Sequence, residues 1–236
     1  MPLADPQSRF LMRATPLQEF TRFPPFVVFL LAINLLLFVL EKGFLESLFV
    51  YLALWPLGSP VLFDQEAQWV WVPAFHTWQL LTYGFLHGNL LHLSLNLFAI
   101  WMLGLQLENA WGSRVFALYF LLCVIGAGVI QLVVTSFAAM EGDIYPTVGA
   151  SGGVFGILLA FGMMFPNQRL IFLLLPIPIK AKYFVLLYGA FELLAGVTGT
   201  LAGIAHFAHL GGMLMGWLVI QYWRGRLPLR PKERVM

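Results

Sequence analysis

The sequence predicts an all-α polytopic membrane protein, a bundle of six transmembrane helices with a membrane-embedded first loop. Apolar residues make up 60% of the 236, and charged residues only 10%. Mean hydropathy is +0.84, which leaves too little polar surface to cover a soluble fold and makes the lipid bilayer the expected solvent. A spanning helix needs about 20 mostly apolar residues, so this length accommodates about six, with short connections, in one membrane domain. The third observation is where the few charges fall, which divides them between two sides of a membrane.

Residues 1–24 are mixed and polar, with Arg9, Arg13 and Arg22 ahead of Pro24-Pro25, and read as a cytoplasmic tail. The apolar run from Pro25 to Leu40 has too long a polar leader for a signal peptide, and no small-x-small cleavage site follows at Glu41-Lys42. It reads as a first span. Residues 41–77 mix Phe44, Phe49, Tyr51, Trp55, Trp69 and Trp71 with three prolines and four acids. That composition suits a loop half sunk at headgroup depth, which Trp and Tyr prefer.

The second span is expected from about Trp78 to Leu107, the third from Val115 to Val134, and the fourth from Gly149 to Phe165, before Pro166. A fifth runs from Tyr183 to Ala195 and a sixth from Ala202 to Trp223. Leu170 to Leu175 is also apolar, but Pro176 and Pro178 favour a loop or re-entrant piece there. The membrane domain is thus 25–223, with 224–236 a basic cytoplasmic tail. With the N-terminus in the cytoplasm, all of the thirteen Lys and Arg except Lys42 fall inside, as the positive-inside rule requires. Both termini are then cytoplasmic, and the expected location is a bacterial plasma (inner) membrane. No internal repeat stands out, which weakens an inverted-repeat transporter.

A net charge of +2 without any basic run interleaved with aromatics points away from nucleic acid. Cys123, the single cysteine, allows neither an internal disulfide nor a cysteine-rich metal site. No cofactor box and no bound metal are expected.

Ionisable residues within spans are functional candidates, and here they are His87, His92, His206, His209, Glu108 and Glu192. Spans two, four and six all begin on the outer side. His92 and Asn96, Ser151 in the first turn of span four, and His209 about two turns into span six can therefore meet in the outer half of the membrane. His92 and Asn96 share a helix face, about 40° apart, whereas His87 is about 140° from His92 and belongs nearer the helix mouth or on another face. Ala205, Gly212 and Gly216 share the face of His209. Gly152 and Gly156 flank Ser151, with Phe155 and Gly162 close to its face. Such small residues let two helices nearly touch, which makes Ser151 and His209 a nucleophile and base pair. His92, Asn96 and the Ser151 backbone N–H are candidate oxyanion donors, and Gly149 permits close approach of the backbone to substrate. No carboxylate is evidently placed to orient His209, so a Ser–His dyad is inferred, with Glu108 and Glu192 read as structural or interfacial groups. His206 reads as a polar residue near the outer interface.

The chain resembles the rhomboid family of intramembrane serine proteases. The resemblance rests on HGNLLHLSLN (His87, His92, Asn96), GASG (Gly149 to Gly152), AHLGGMLMG (His209, Gly212, Gly216) and GLQLENAWGS (Gly104, Glu108, Gly112), and covers 73–223. It implies a rhomboid-like bundle with Ser151 as nucleophile and His209 as base. It further implies that His92, Asn96 and the Ser151 backbone form the oxyanion site, with His87 at its mouth, and that Phe155 lies under the catalytic histidine. Single-span membrane proteins would be the substrates, entering laterally from the bilayer and unwinding locally around small residues. Trp78-Gln79 stands where many members have Trp-Arg. Two other classes compete: a non-catalytic relative that binds membrane clients, which typically lacks the serine or histidine, and a metalloenzyme or transporter using the histidines. Against the latter, H-E-x-x-H is absent and no carboxylate accompanies H-x-x-H on its own helix turn.

Overall fold

The computed structural model describes residues 23–43, 46–58, 61–63, 69–71, 73–172, 175–200 and 203–228. The expected N-terminal tail through residue 22 and the basic tail beyond residue 228 lie outside the described residues. Eight helices are described: α1 (Pro25–Gly43), α2 (Glu46–Leu52), α3 (Gln79–Thr82), α4 (Leu90–Trp111), α5 (Ser113–Met140), α6 (Ser151–Met164), α7 (Ala181–Thr198) and α8 (His206–Trp223). Helix α4 passes through a π turn at Ile100–Gly104. Two antiparallel hairpins pair β1 (Val61–Phe63) with β2 (Trp69–Trp71), and β3 (Arg169–Phe172) with β4 (Leu175–Lys180).

Helices α1, α4, α5 and α7 are long and apolar enough to cross a membrane, and the chain is an integral membrane protein. The expectation of six crossing helices is corrected to these four among the described residues. Helix α6 is apolar but has 14 residues, about 21 Å of rise against a hydrocarbon core of about 30 Å. Helix α8 has 18 residues, but His206, His209, three glycines and Gln221 dilute its apolar character. Helix α6 lies in the interior of the bundle, with ten of its 14 residues buried, whereas α8 buries nine of 18 and exposes Leu214 and Trp217. Counting both as spans is what raised the expected number to six. The lipid-like faces are on α1 and α7, where Phe29, Leu36, Val39, Leu186, Leu194 and Val197 are exposed.

Helices α5, α6 and α8 form the centre, in mutual contact. Small residues bring their backbones together. A methyl group added at Gly212 would run into the carbonyl of Gly152, one at Gly156 or Gly216 would meet Cys123, and one at Gly126 would meet Met215. The Tyr119 hydroxyl, fully buried, donates to the Gly156 carbonyl at 2.7 Å. Phe116, Phe120, Phe161 and Ile157 fill the remaining space.

The first loop is held by Gln79, which is 1% exposed. Its Oε1 accepts from the His76 N–H at 3.2 Å and the Trp55 N–H at 3.4 Å, and its Nε2 donates to the Tyr51 carbonyl at 3.3 Å. A neutral amide therefore serves as both donor and acceptor at this position, which an arginine could not. The segment before α7, expected as a loop or re-entrant piece, is the β3–β4 hairpin, with Ile171 opposite Pro178 and a register shift at Phe172. Both strands of a two-stranded ribbon have a free edge, where a proline removes no ladder bond.

Glu108 caps α1 from a distance. Its Oε1 accepts from the Phe26 N–H at 2.9 Å and its Oε2 from the Val27 N–H at 2.7 Å, satisfying two of the free amides at a helix start next to lipid. Glu108→Ala should lower stability by about 1–3 kcal/mol. An unfolding titration of the detergent-solubilised protein measures this, and an unchanged midpoint would contradict the capping role.

Candidate active site

Ser151 is the first residue of α6, and the chain leading to it is pinned. Thr147 and Leu54 exchange backbone hydrogen bonds of 3.0 and 2.9 Å, the Thr147 hydroxyl accepts from Gln131 Nε2 at 3.2 Å, and the Gly149 N–H donates to the Tyr83 carbonyl at 2.9 Å. Gly149 has φ +136°, a conformation that favours glycine. A Cβ there would stand 2.7 Å from His92 Cε1 and 3.5 Å from Ser151 Oγ. The missing side chain is what lets the His92 ring approach the serine.

His209 lies in the first turn of α8, not two turns in, because the helix begins at His206 rather than Ala202. Its Nε2 is 2.8 Å from Ser151 Oγ. The contact of Gly152 with Gly212, one residue beyond Ser151 and three beyond His209, sets that separation. Phe155 lies flat against the His209 ring, with centroids 4.1 Å apart and planes 7° apart, and is backed by Tyr188 at 5.0 Å. Gly216, two turns further along α8, faces the Tyr119 hydroxyl and Cys123 and so belongs to the packing beneath the site.

Helix α4 brings the other polar groups. The Asn89 side chain caps it by accepting from the His92 N–H at 2.8 Å. Asn96 is buried and donates from Nδ2 to the His92 carbonyl at 3.1 Å, which uses one of its two amide hydrogens. His87 precedes the helix, with its ring 5.1 Å from that of His92. It is fully buried, and neither ring nitrogen has a hydrogen-bond partner among the described residues.

Sequence reasoning missed the carboxylate. Glu192, on α7, is buried, and its Oε2 lies 2.9 Å from His209 Nδ1 and 2.6 Å from His206 Nδ1. No spacing rule connects it to His209, which sits 17 residues later across the turn between two helices. The available signal was that Glu192 is the one acid in α7, and intramembrane acids are functional candidates by default. His206 Nε2 lies 3.1 Å from the Thr200 carbonyl, so His206 is tied to its surroundings at both nitrogens. Glu192, His206 and His209 offer ligand atoms within 4.8 Å of one another, a set a divalent cation could use. Here those atoms satisfy one another, and a cation would have to displace the hydrogen bonds to both imidazoles.

A family model described as the Rhomboid domain matches residues 74–226. Rhomboid protein 1, mitochondrial, of Saccharomyces cerevisiae is 31% identical over 141 residues, covering 57% of this chain and 38% of the relative. Presenilin-associated rhomboid-like protein, mitochondrial, of Rattus norvegicus is 30% identical over 158 residues, 61% of this chain and 39% of the relative. Rhomboid protease GluP of Bacillus subtilis is 31% identical over 140 residues, 59% of this chain and 25% of the relative. The match thus spans between a quarter and two fifths of these relatives' lengths.

Burial, with His92 beside it, pushes the His87 imidazole down to about 3. The unfolded chain would bind that proton below about pH 6.5 while the fold does not, so this group's contribution to stability is lost as pH falls from about 6.5 toward 3. His87→Gln should show a shallower decline of unfolding midpoint than the unsubstituted protein across that window. Parallel declines would remove His87 as the source.

Proposed function

This chain belongs to the rhomboid family, and from that premise we propose that it is an intramembrane serine endopeptidase, hydrolysing peptide bonds in or beside the transmembrane segments of single-span membrane proteins. The observation that carries this reading is the 2.8 Å separation of Ser151 Oγ and His209 Nε2. At that distance an imidazole can take the hydroxyl proton as the oxygen attacks.

In the first half-reaction Ser151 Oγ bonds to the substrate carbonyl carbon and its proton passes to His209 Nε2. The tetrahedral oxyanion is stabilised by the Ser151 backbone N–H, at the start of a 14-residue helix, with His92 and Asn96 as side-chain donors. The C–N bond then breaks, and His209 gives its proton to the departing amine. In the second half-reaction a water molecule attacks the acyl-enzyme while His209 takes its proton. The acyl–oxygen bond breaks, and the proton returns to Ser151. These steps draw on side chains, backbone and water alone.

The orientation follows from the charges. Trp111 and Trp223, at the ends of α4 and α8, lie 6.0 Å apart, and Gln106, Asn109, Ala110 and Phe165 line one cavity. The ends of α4, α6 and α8 therefore gather at one side, together with the start of α1 under Glu108. Arg114, Arg169, Lys180, Lys182, Arg224 and Arg226 follow or precede these ends, opposite Ser151. By the positive-inside rule that side is cytoplasmic, so the serine opens toward the outer side of what we take to be a bacterial plasma membrane.

Reconstitution with a model single-span substrate tests the reading. Ser151→Ala and His209→Ala should each abolish cleavage to within the background while preserving the folded state. Retention of cleavage by Ser151→Ala would exclude the mechanism.

A further inference from the structure

We propose that Glu192 is a positioning residue for the proteolytic site, completing a Ser151–His209–Glu192 triad, and that His206 holds this carboxylate in place. The inference rests on the reading of the site as a serine protease.

The His209 ring is fixed on three sides. Its Nε2 meets Ser151 Oγ at 2.8 Å, its Nδ1 meets Glu192 Oε2 at 2.9 Å, and Phe155 covers one face. A base for Ser151 needs an unprotonated Nε2, hence a neutral ring with its proton on Nδ1. In a buried site the tautomer is set by what faces the other nitrogen. A carboxylate oxygen there accepts the Nδ1–H, which leaves Nε2 free and stabilises the imidazolium formed when the serine attacks.

The second histidine explains how that carboxylate is tolerated. An isolated ionised carboxylate is costly to bury, and Glu192 has only 3% of its side-chain surface exposed. The oxygen that faces His209 also faces His206 Nδ1 at 2.6 Å. The other nitrogen of His206 faces the Thr200 carbonyl at 3.1 Å, and because a carbonyl only accepts, His206 Nε2 must carry a hydrogen. With that site occupied, Glu192 and His206 Nδ1 share one further proton, and the pair is neutral as a whole. The turn between α7 and α8 preserves this geometry. Gly199 closes α7 with φ +66°, the Thr198 and Thr200 hydroxyls bond at 3.0 Å, and a Cβ at Gly196 would press on His206 Cβ at 3.2 Å.

A carboxylate that merely tied α7 to α8 would affect folding without selecting a tautomer, so the test reads tautomer and turnover separately. In the full chain in proteoliposomes, cleaving a single-span peptide, Glu192→Gln should lower kcat by about 100-fold or more with KM within about threefold, because an amide can donate to Nδ1 and favour the wrong tautomer. Glu192→Asp should recover at least about tenfold of that loss. In the unsubstituted protein, nitrogen-15 resonances of His209 should report a neutral ring protonated at Nδ1, a readout that survives even if Glu192→Gln fails to fold. A folded Glu192→Gln with kcat within about threefold of the unsubstituted enzyme, or a neutral His209 protonated at Nε2, would overturn the inference. If Ser151→Ala is inactive while Glu192→Gln is fully active, serine proteolysis stands and the triad falls. Cleavage by Ser151→Ala would instead fail the underlying reading.

Discussion

The approach of two helix backbones at Gly152 and Gly212 is the constraint on which the rest of the molecule depends. No side chain fits between them: an added methyl at 212 would occupy the place of the Gly152 carbonyl. That contact lets a residue at the start of α6 and a residue in the first turn of α8 come within hydrogen-bond distance, because Ser151 and His209 are the nearest polar positions to it. Replacing the contact with ordinary apolar packing would part the two helices and break the 2.8 Å link. The surrounding architecture protects this closeness. Cys123 fills the small space under Gly156 and Gly216, Tyr119 bonds the Gly156 carbonyl, and Gly149 is tied to Tyr83.

A membrane interior makes unpaired polar groups expensive, and three buried polar side chains here are used in distinct ways. Glu108 spends its two oxygens on the free amides of α1. Gln79 ties two stretches of chain together with one amide, bonding Tyr51 and Trp55 in one and His76 in the other. Glu192 satisfies two histidines with one oxygen. His87 differs, with both ring nitrogens unpartnered among the described residues and its ring 5.1 Å from that of His92. In a low-dielectric site the same economy strengthens the hydrogen bonds that are made.

Much of this was legible because the motifs carry geometry. Small residues three and four apart on α8 predict close packing, a serine after Gly149-Ala150 predicts a helix start, and the depth of the polar residues along their helices predicts that they can meet. The span count was not legible, because a reading of apolar runs against about 20 residues counted α6 and α8 as crossings, although α6 has 14 residues and α8 carries two histidines and three glycines. It also placed the start of α8 at Ala202, four residues early, which put His209 too deep. The role of Glu192 was hidden for a different reason. Its partner lies across a turn on another helix, and the relative placement of α7 and α8 follows from the close approach of Gly196 to His206 and Phe207 and the left-handed turn at Gly199 rather than from any local periodicity. Pro176 and Pro178 misled similarly, since a two-stranded ribbon accepts prolines that a central strand would exclude.

The most direct test of the account is covalent capture of the nucleophile. Reaction of the folded, detergent-solubilised protein with a monofunctional fluorophosphonate, followed by intact-mass and peptide analysis, should give one adduct per chain, on Ser151, and that adduct should disappear in His209→Ala. A folded protein that takes up no phosphonate, or takes it up on another residue at the same rate with His209 removed, would contradict the claim that Ser151 is activated by His209.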